Sequence, residues 1–598
     1  MIKALKEWGE LYPYEIWDEV EADNVLVINF DKDGRISKKN GKINLDIYEA
    51  DSEKFEYYLY REAKSKNPPT KTPTLYLNLR NEKEKNEKIK TSLKNMKNII
   101  SKNIVKHIEK RNPSDPLLRI LKNIQGEIKR YSKEIQEAIQ NEIERTGKAK
   151  RYLLTIKIDD KFLGEIDGFK DILKDILESD YKNESFCAIC GERKKVDAKI
   201  PFYFLTFDKL GYIVGGFDKD KAYRNSPICF DCFEKMRIAR RKLEKAKFKI
   251  GGLEYLLIPE SLNRETLERF KDLMEFLKEN EFKLSDIDRV RLELHIKHLL
   301  REDVDTERIL KELEDDPNKL LVIFKELKDI IWAHFLFIKK EQSRESVKLY
   351  INEVFPSRVL EMFEAKKYVK NLLDIDIWFD FKTIESFFKG DSCYEVVGAV
   401  FKGRKLEGSF LYSNFMKEIR ESYNNEKGKY SEAFASYIFI RVLTEGLNMI
   451  ALDKPANLEE FFEWVEKLPV VKGGERWKVS VILLGYLTEY LLRWERRDRG
   501  SKPFLKKLKG FRMNWEDVLG LLPKLREKLE IQEIYDYEGV KKVFSEISKG
   551  LLESDKPKVS VDEINFYFTA GMGLYEKFGH LLFQKKEGGE DEQAEEQA

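Results

Sequence analysis

Hydrophobic and polar positions alternate with a period of two in three short stretches near the start of the chain. These are Ile43, Leu45 and Ile47 in INLDI, Leu75, Leu77 and Leu79 in LYLNL, and Leu154, Ile156 and Ile158 in LTIKI. Successive side chains of a strand point to opposite faces, so each stretch predicts a strand buried on one side. Between the last two lies a polar, lysine-rich stretch (82–111). It is followed by a seam at helical spacing: Leu117, Leu121, Ile124, Ile128, Tyr131, Ile135 and Ala138, with Gly147 placed to end the helix. Residues 1–180 read as an α+β domain with a helical insertion.

From 261 to 345 the spacing turns amphipathic and helical, as in LELHIKHLL (292–300). The apolar run IIWAHFLFI (330–338) reads as a buried helix, and EVVGAVFKG (395–403) as a short strand. The region 261–429 is expected to be mostly helical. In the last third, AFASYIFIRVLTEGLNMI, VSVILLGYLTEYLLRW and VDEINFYFTAGMGLYEKFGHLLF are long and apolar enough for central helices of a bundle spanning 430–583. Asn457 with Glu460, and Ser560 with Glu563, have capping-box spacing at two helix starts. The tail 584–598 carries acidic residues without basic ones after Lys586, and predicts disorder. The fold class that follows is α+β: an N-terminal mixed domain, an inserted cysteine module (181–260), and a C-terminal helical bundle.

Composition adds little about partners, because 110 Lys+Arg and 108 Asp+Glu leave a net charge of +2 across 598 residues. The charged fraction is 36%, against about 25% in ordinary soluble proteins, a pattern expected of proteins from hot environments. No apolar run approaches the ~18 residues of a membrane helix, and MIKALKEWGELY has charges where a secretory signal would be apolar. Five cysteines in so long a chain cannot form a disulfide framework. The expectation is a soluble, cytoplasmic protein.

Four of those cysteines form two CxxC pairs, Cys187–Cys190 and Cys229–Cys232. Two residues between thiolates let both point inward from one tight turn, and two such knuckles make a tetrahedral four-sulfur site for zinc. Gly191 suits the left-handed turn that follows a knuckle. A dithiol redox pair or plain buried cysteines are the alternatives. A zinc held by four sulfurs has no open position, so its role would be structural. The 38 residues between the pairs are too many for a compact ribbon and must carry structure of their own.

That intervening segment is rich in aromatics: Phe202, Tyr203, Phe204, Phe207, Tyr212, Phe217 and Tyr223. They form either the core of a small module or a stacking platform for bases. In the second reading Lys209, Lys219, Lys221 and Arg224 hold phosphates, while Gly211, Gly215 and Gly216 allow close backbone approach. Past Cys232 come Lys235, Arg237, Arg240, Arg241, Lys242, Lys245, Lys247 and Lys249, opposed only by Glu234 and Glu244. A second basic block, Arg493 to Arg512, includes Arg496, Arg497, Lys506 and Lys507. Each block is either a solvated helix face or a polyanion contact.

Catalytic signatures are missing. There is no GxxxxGK[ST], no GxSxG and no HExxH, and none of the five histidines (His107, His295, His298, His334, His580) precedes an aspartate. His295 and His298 share a helix face, without a carboxylate motif beside them. No active site is read.

FEYYLYREAKSKNPPTKTPT (55–74) resembles the N-terminal "YLYR…TPT" signature of the large subunit of the type I-B CRISPR Cascade surveillance complex, the eighth Cas family, b type. The ordered series CAICGERKKV, FDKLGYIVGGFDKDKAYRNSPICFDC, a basic helix and GGLEYLLIPE (251–260) resembles the same family, with Leu210 and Tyr212 where Pro and Phe are common. The resemblance covers roughly 50–260 and is architectural beyond. It implies a non-catalytic subunit that caps the 5′-handle end of the guide RNA, helps read the protospacer-adjacent motif in duplex DNA and supports R-loop formation. It also implies backbone and small subunits as partners, and recruitment of a separate helicase–nuclease. By matching position it implies Cys187, Cys190, Cys229 and Cys232 as zinc ligands. It further implies that the helical C-terminal part can be made separately from an internal start, for which Met416 and Met449 are candidates. The Asp208–Gly216 loop and the Arg237–Lys249 helix are nucleic-acid candidates on charge and glycine alone. A nuclease with scattered metal carboxylates and a zinc-stabilised interaction scaffold are the alternative functions.

Overall fold

The computed structural model describes residues 1–51, 54–62, 71–81, 84–146, 150–202, 204, 218–245, 248–279, 286–300, 304–316, 318–341, 344–375, 381–423, 428–471 and 475–583. Two compact units divide it: Ile2–Lys242 with Lys340–Ser346, and Leu243–Lys339 with Val347 onward.

In the N-terminal unit, strands β1 (Asn24–Phe30), β4 (Leu45–Glu49), β5 (Leu75–Asn78) and β6 (Arg151–Ile158) form a sheet in the order β4-β1-β6-β5, with β7 (Lys161–Phe162) on β6. The short ribbon β2 (Lys38–Lys39) and β3 (Lys42–Ile43) lies between β1 and β4 in the chain. β1 and β6 are parallel, with Leu26 opposite Leu154. LTIKI was expected to be half-buried, and this needs correction, because β1 and β6 are covered on both sides. Leu26, Ile28, Leu154 and Ile156 enter the larger core with the helices, while Val25, Val27 and Leu153 pack with Phe55, Tyr58 and Phe162 on the other face. Central strands joined by a crossover are buried twice, and NVLVINF reads as the continuous apolar run such a strand needs.

That crossover carries the predicted seam. It forms two helices, Pro116–Arg130 and Ser132–Thr146, with Leu121, Ile124, Ile128, Ile135 and Ile139 buried. Asp115 caps the first, its carboxylate accepting from the Leu117 N–H at 2.9 Å, and Pro116 fills the first helical position. The position predicted to end the seam, Gly147, lies outside the described residues.

A three-stranded sheet follows: β8 (Asn183–Phe186), β9 (Arg193–Asp197) and β10 (Ile228–Cys229), all antiparallel, leading into the helix Phe230–Lys245.

The C-terminal unit opens with a sheet of β11 (Phe248–Ile250), β12 (Leu253–Ser261), β13 (Ile331–Glu341) and β14 (Arg344–Val354), in that order. IIWAHFLFI is thus a strand, not the expected helix. It pairs antiparallel with β12, Leu336 opposite Leu256. An unbroken apolar run carries no period, and its aromatic and β-branched residues suit a strand buried on both faces. EVVGAVFKG is corrected the other way: it lies in the helix Asp391–Lys402, ended by Gly403 at φ 62°. Gly398 in that helix faces Leu349 of β14, so a flat, glycine-containing side packs on the sheet.

Among the described residues, the elements after β14 are all helices, joined by turns and loops. Arg476–Arg499 and Val561–Phe578 cross closely, because Gly485 faces the Phe568 carbonyl and Gly571 faces the Ile482 carbonyl, positions where a Cβ would collide with backbone. Both predicted caps are present: Asn457 accepts from the Glu460 N–H at 2.9 Å and Ser560 from the Glu563 N–H at 3.1 Å. The acidic tail lies outside the described residues. No helix among them is long and apolar enough to cross a membrane.

Candidate metal centre and basic surfaces

Each CxxC pair is shaped by a strand ending in a turn. After β8 the chain folds back so that the Gly191 N–H donates to the Cys187 carbonyl at 2.9 Å and the Cys187 N–H to the Glu192 carbonyl at 2.9 Å. Gly191 sits at φ 74°, where a side chain would be strained. The second pair straddles β10 and the first turn of the Phe230–Lys245 helix, so Cys232 lies three residues past Cys229 on a helical start. A hydrogen bond from the Ala188 N–H to the Pro227 carbonyl, 2.7 Å, stitches the two turns together.

The four Sγ atoms lie within 4.8 Å of one another. A tetrahedral zinc with bonds of about 2.3 Å needs sulfurs about 3.8 Å apart, and Cys190 and Cys229 are separated by 4.0 Å. The Ile189 N–H (3.5 Å) and Cys229 N–H (3.4 Å) point at the Cys187 sulfur, the donor pattern that supports a thiolate. A hydrogen bond from the Cys232 thiol, with others from Cys187 and Cys190, holds Cys229 down at about 5 against its burial. Cys232, donating to Cys229, is pushed far up, and burial raises Cys190. Four thiols this close cannot all ionise without a cation between them, so the cluster could hold a metal ion and its donor set fits zinc. Cys393, in the other unit, is buried alone, and burial raises its thiol to about 12.

The helix that supplies Cys232 also supplies the predicted basic face, and the structure turns three of its arginines inward. Glu234 is fully buried and receives Arg61 at 2.6 and 3.1 Å and Arg237 Nε at 2.9 Å. Arg237 and Arg241 both bind Asp18, which also accepts from the Glu62 N–H at 2.6 Å. Burial would raise both carboxyls, but Arg237 and Arg61 around Glu234, and Arg237, Arg241 and Arg61 around Asp18, hold them below the usual range. Arg240 is buried, binds Glu345 and the Pro201 carbonyl, and lies 4.9 Å from the Phe202 ring. The charges of Arg237, Arg240 and Arg241 are therefore compensated internally, which corrects their reading as an open phosphate-contacting face. Buried Phe202 packs against Phe204 at 5.0 Å, as core.

The other candidates are distributed. Lys221 pairs with Asp218 at 3.3 Å, Arg224 is exposed in the turn Lys219–Arg224, and Lys245 is exposed at the helix end. Lys209, Gly211, Gly215 and Gly216, with the Asp208–Gly216 loop, lie outside the described residues, as does the Lys219 side chain. Arg496 and Arg497 are exposed at the end of the Arg476–Arg499 helix, and Lys506 and Lys507 in the turn Pro503–Leu508 beyond it.

The pairing of Asp18 with Arg237 and Arg241, and of Arg61 with Glu234, escapes sequence reading because the partners are more than 170 residues apart. One signal was present: Glu234, Arg237 and Arg241 stand at i, i+3 and i+7, one helix face.

Models of the three domains of CRISPR-associated protein TM1802 match the chain in order: the N-terminal domain over residues 1–175, the central domain over 184–354 and the C-terminal domain over 379–586. A comparison with the curated proteins finds no match.

Proposed function

This chain belongs to the CRISPR-associated protein TM1802 family, and on that footing we propose that it is the non-catalytic large subunit of a type I-B RNA-guided surveillance complex. In this reading it binds the 5′-handle end of the guide RNA, helps recognise the motif beside the target in duplex DNA, supports strand opening and recruits a separate helicase–nuclease. Base pairing then supplies sequence specificity, and the protein supplies motif reading and charged channels.

The observation that carries the reading is the position of the cysteine cluster. The central-domain match begins at residue 184, at the first knuckle. The same stretch holds the motif series that resembles the type I-B large subunit. A four-sulfur metal site leaves no coordination position for water or substrate, so the cluster supports shape rather than chemistry. Exposed Arg496, Arg497, Lys506 and Lys507 offer charge to a phosphate backbone.

The test is affinity purification from the native cell, with mass spectrometry and small-RNA sequencing of what accompanies the chain. Repeat–spacer RNAs with a constant 5′ handle, together with backbone subunits, are expected. Recovery of the protein with its metal but without such RNA or subunits would overturn the reading.

A further inference from the structure

The lysine-rich stretch between β5 and β6 forms one helical rod. An α-helix Lys85–Ile99 runs into a π turn, Ile100–Val105, and on into Lys106–Arg111, with right-handed helical backbone at each junction. Its inner side is an apolar seam: Ile89, Leu93, Met96, Ile100, Ile104 and Ile108 are all buried. The steps from Met96 onward are all four residues. At 3.6 residues per turn, three such steps would rotate Ile108 some 120° relative to Met96. The wider π turn absorbs the surplus and returns Ile104 and Ile108 to the core.

The same correction acts on the outer side. Lys90, Lys94 and Lys97 precede the π turn, Lys102 lies within it, Lys106 and Lys110 follow it, and the turn brings these last three back opposite the seam. Five of the six are exposed and Lys97 is half-buried. None forms a salt bridge among the described residues. The nearby acids Glu84 and Glu109 are taken by Lys88 (2.9 Å) and Lys122 (2.6 Å), and Glu87, exposed in the first turn of the rod, pairs with none of the six. Twenty residues separate Lys90 from Lys110, so the stripe extends about 30 Å, with a charge about every 6 Å.

Like charges at i, i+4 destabilise a helix, and a π turn is rare and frequent at functional sites. Here the π turn keeps six lysines that form no salt bridge on one side of the rod. We propose that this face is a docking surface for the phosphate backbone of a nucleic acid. The inference deepens the reading above, which supplies the polyanions. Lysine is a point charge without arginine's fork, so the contact is to backbone and not to bases. Thr91, Asn95, Asn98 and Asn103 between the lysines add neutral donors of the kind that bind phosphate oxygens. An anionic membrane fits less well, because the rod's large apolar residues are in the core seam and none remains on the outer face to enter a bilayer.

The experiment compares the full wild-type chain with a variant carrying K90Q, K94Q, K97Q, K102Q, K106Q and K110Q. Binding to a random-sequence single-stranded RNA and to a random-sequence DNA duplex is followed from about 50 to 200 mM salt. Six lost contacts should reduce the slope of log affinity against log salt by about 4 if the ligand is single-stranded RNA and by about 5 if it is duplex DNA. The two triple variants, 90/94/97 and 102/106/110, should each give about half of that, and keep the test open if the sixfold variant folds poorly. A variant that melts like the wild type and whose slope stays within one unit of it would overturn the proposal. So would loss of binding to phosphatidylserine vesicles with nucleic-acid binding retained. Co-purification of guide RNA with wild type and lysine variants alike, alongside an unchanged slope, would remove this surface and leave the proposed function standing.

Discussion

Arg61 donates two hydrogen bonds to Glu234, at 2.6 and 3.1 Å, across 173 residues of chain. With Arg237, Asp18 and Arg241 they form an alternating chain of charges that ties the segment around Ile16–Asp18 and the end of the Phe55–Tyr58 helix to the helix carrying Cys232. Basic residues that look like a ligand-binding face in one dimension here fix the cysteine module to its sheet domain.

Removing one partner of such a network leaves the others buried and unpaired. Glu234→Ala is expected to destabilise the chain by about 3–5 kcal/mol, measured as a fall in the urea midpoint. Replacing Glu234 and Arg61 together by Met should cost less than the sum of the single changes.

The pH dependence follows from the same pair of acids. Glu234 and Asp18 have folded pKa values below their unfolded ones, so the unfolded state binds more protons in acid. Their stabilisation is complete above the unfolded carboxyl values of about 4 and is lost as pH falls through the lower, folded values. Urea midpoints between pH 6 and 3 should decline more steeply for the wild type than for Asp18→Asn at equal metal content.

Metal occupancy should be one ion per chain by elemental analysis. Cys229→Ser or Cys190→Ser should abolish it, and chelation should lower the melting temperature of the wild type but not of the variants. The apparent binding free energy of structural zinc sites, about 10–16 kcal/mol, makes partial occupancy an unexpected outcome.

Close helix crossing sets a fourth expectation. Gly485→Ala and Gly571→Ala each place a methyl against a backbone carbonyl of the facing helix. Overpacking of this kind costs typically 1–3 kcal/mol and should appear as a lower melting temperature. Gly126→Ala, which meets nothing within 4 Å, should not lower it.

The internal and exposed arginines and lysines should separate cleanly. Arg237→Gln is expected to lower stability while leaving the salt slope of nucleic-acid binding unchanged. Lys506→Gln with Lys507→Gln should leave stability alone and reduce the slope on duplex DNA by up to about 2.

Whatever rests on near neighbours in the chain could be read from the order of residues. The two knuckles were legible because CxxC spacing and Gly191 specify a turn locally. The caps at Asn457 and Ser560 and the long apolar helices were legible because cap and period lie within a few residues. The rest depends on contacts between segments far apart in the chain. IIWAHFLFI has no period to read, and becomes a strand because β12 offers it a partner. EVVGAVFKG becomes a helix because its glycine-bearing side packs on β14. Whether Arg237, Arg240 and Arg241 face solvent or carboxylates depends on Asp18, Glu234 and Glu345. The first and last of these reach the helix only through the fold, and a buried charge is stable only where the fold delivers its counter-charge. The lysines of 85–111 are the mirror case: visible as composition, they acquire a direction only through a π turn that aligns them on one face.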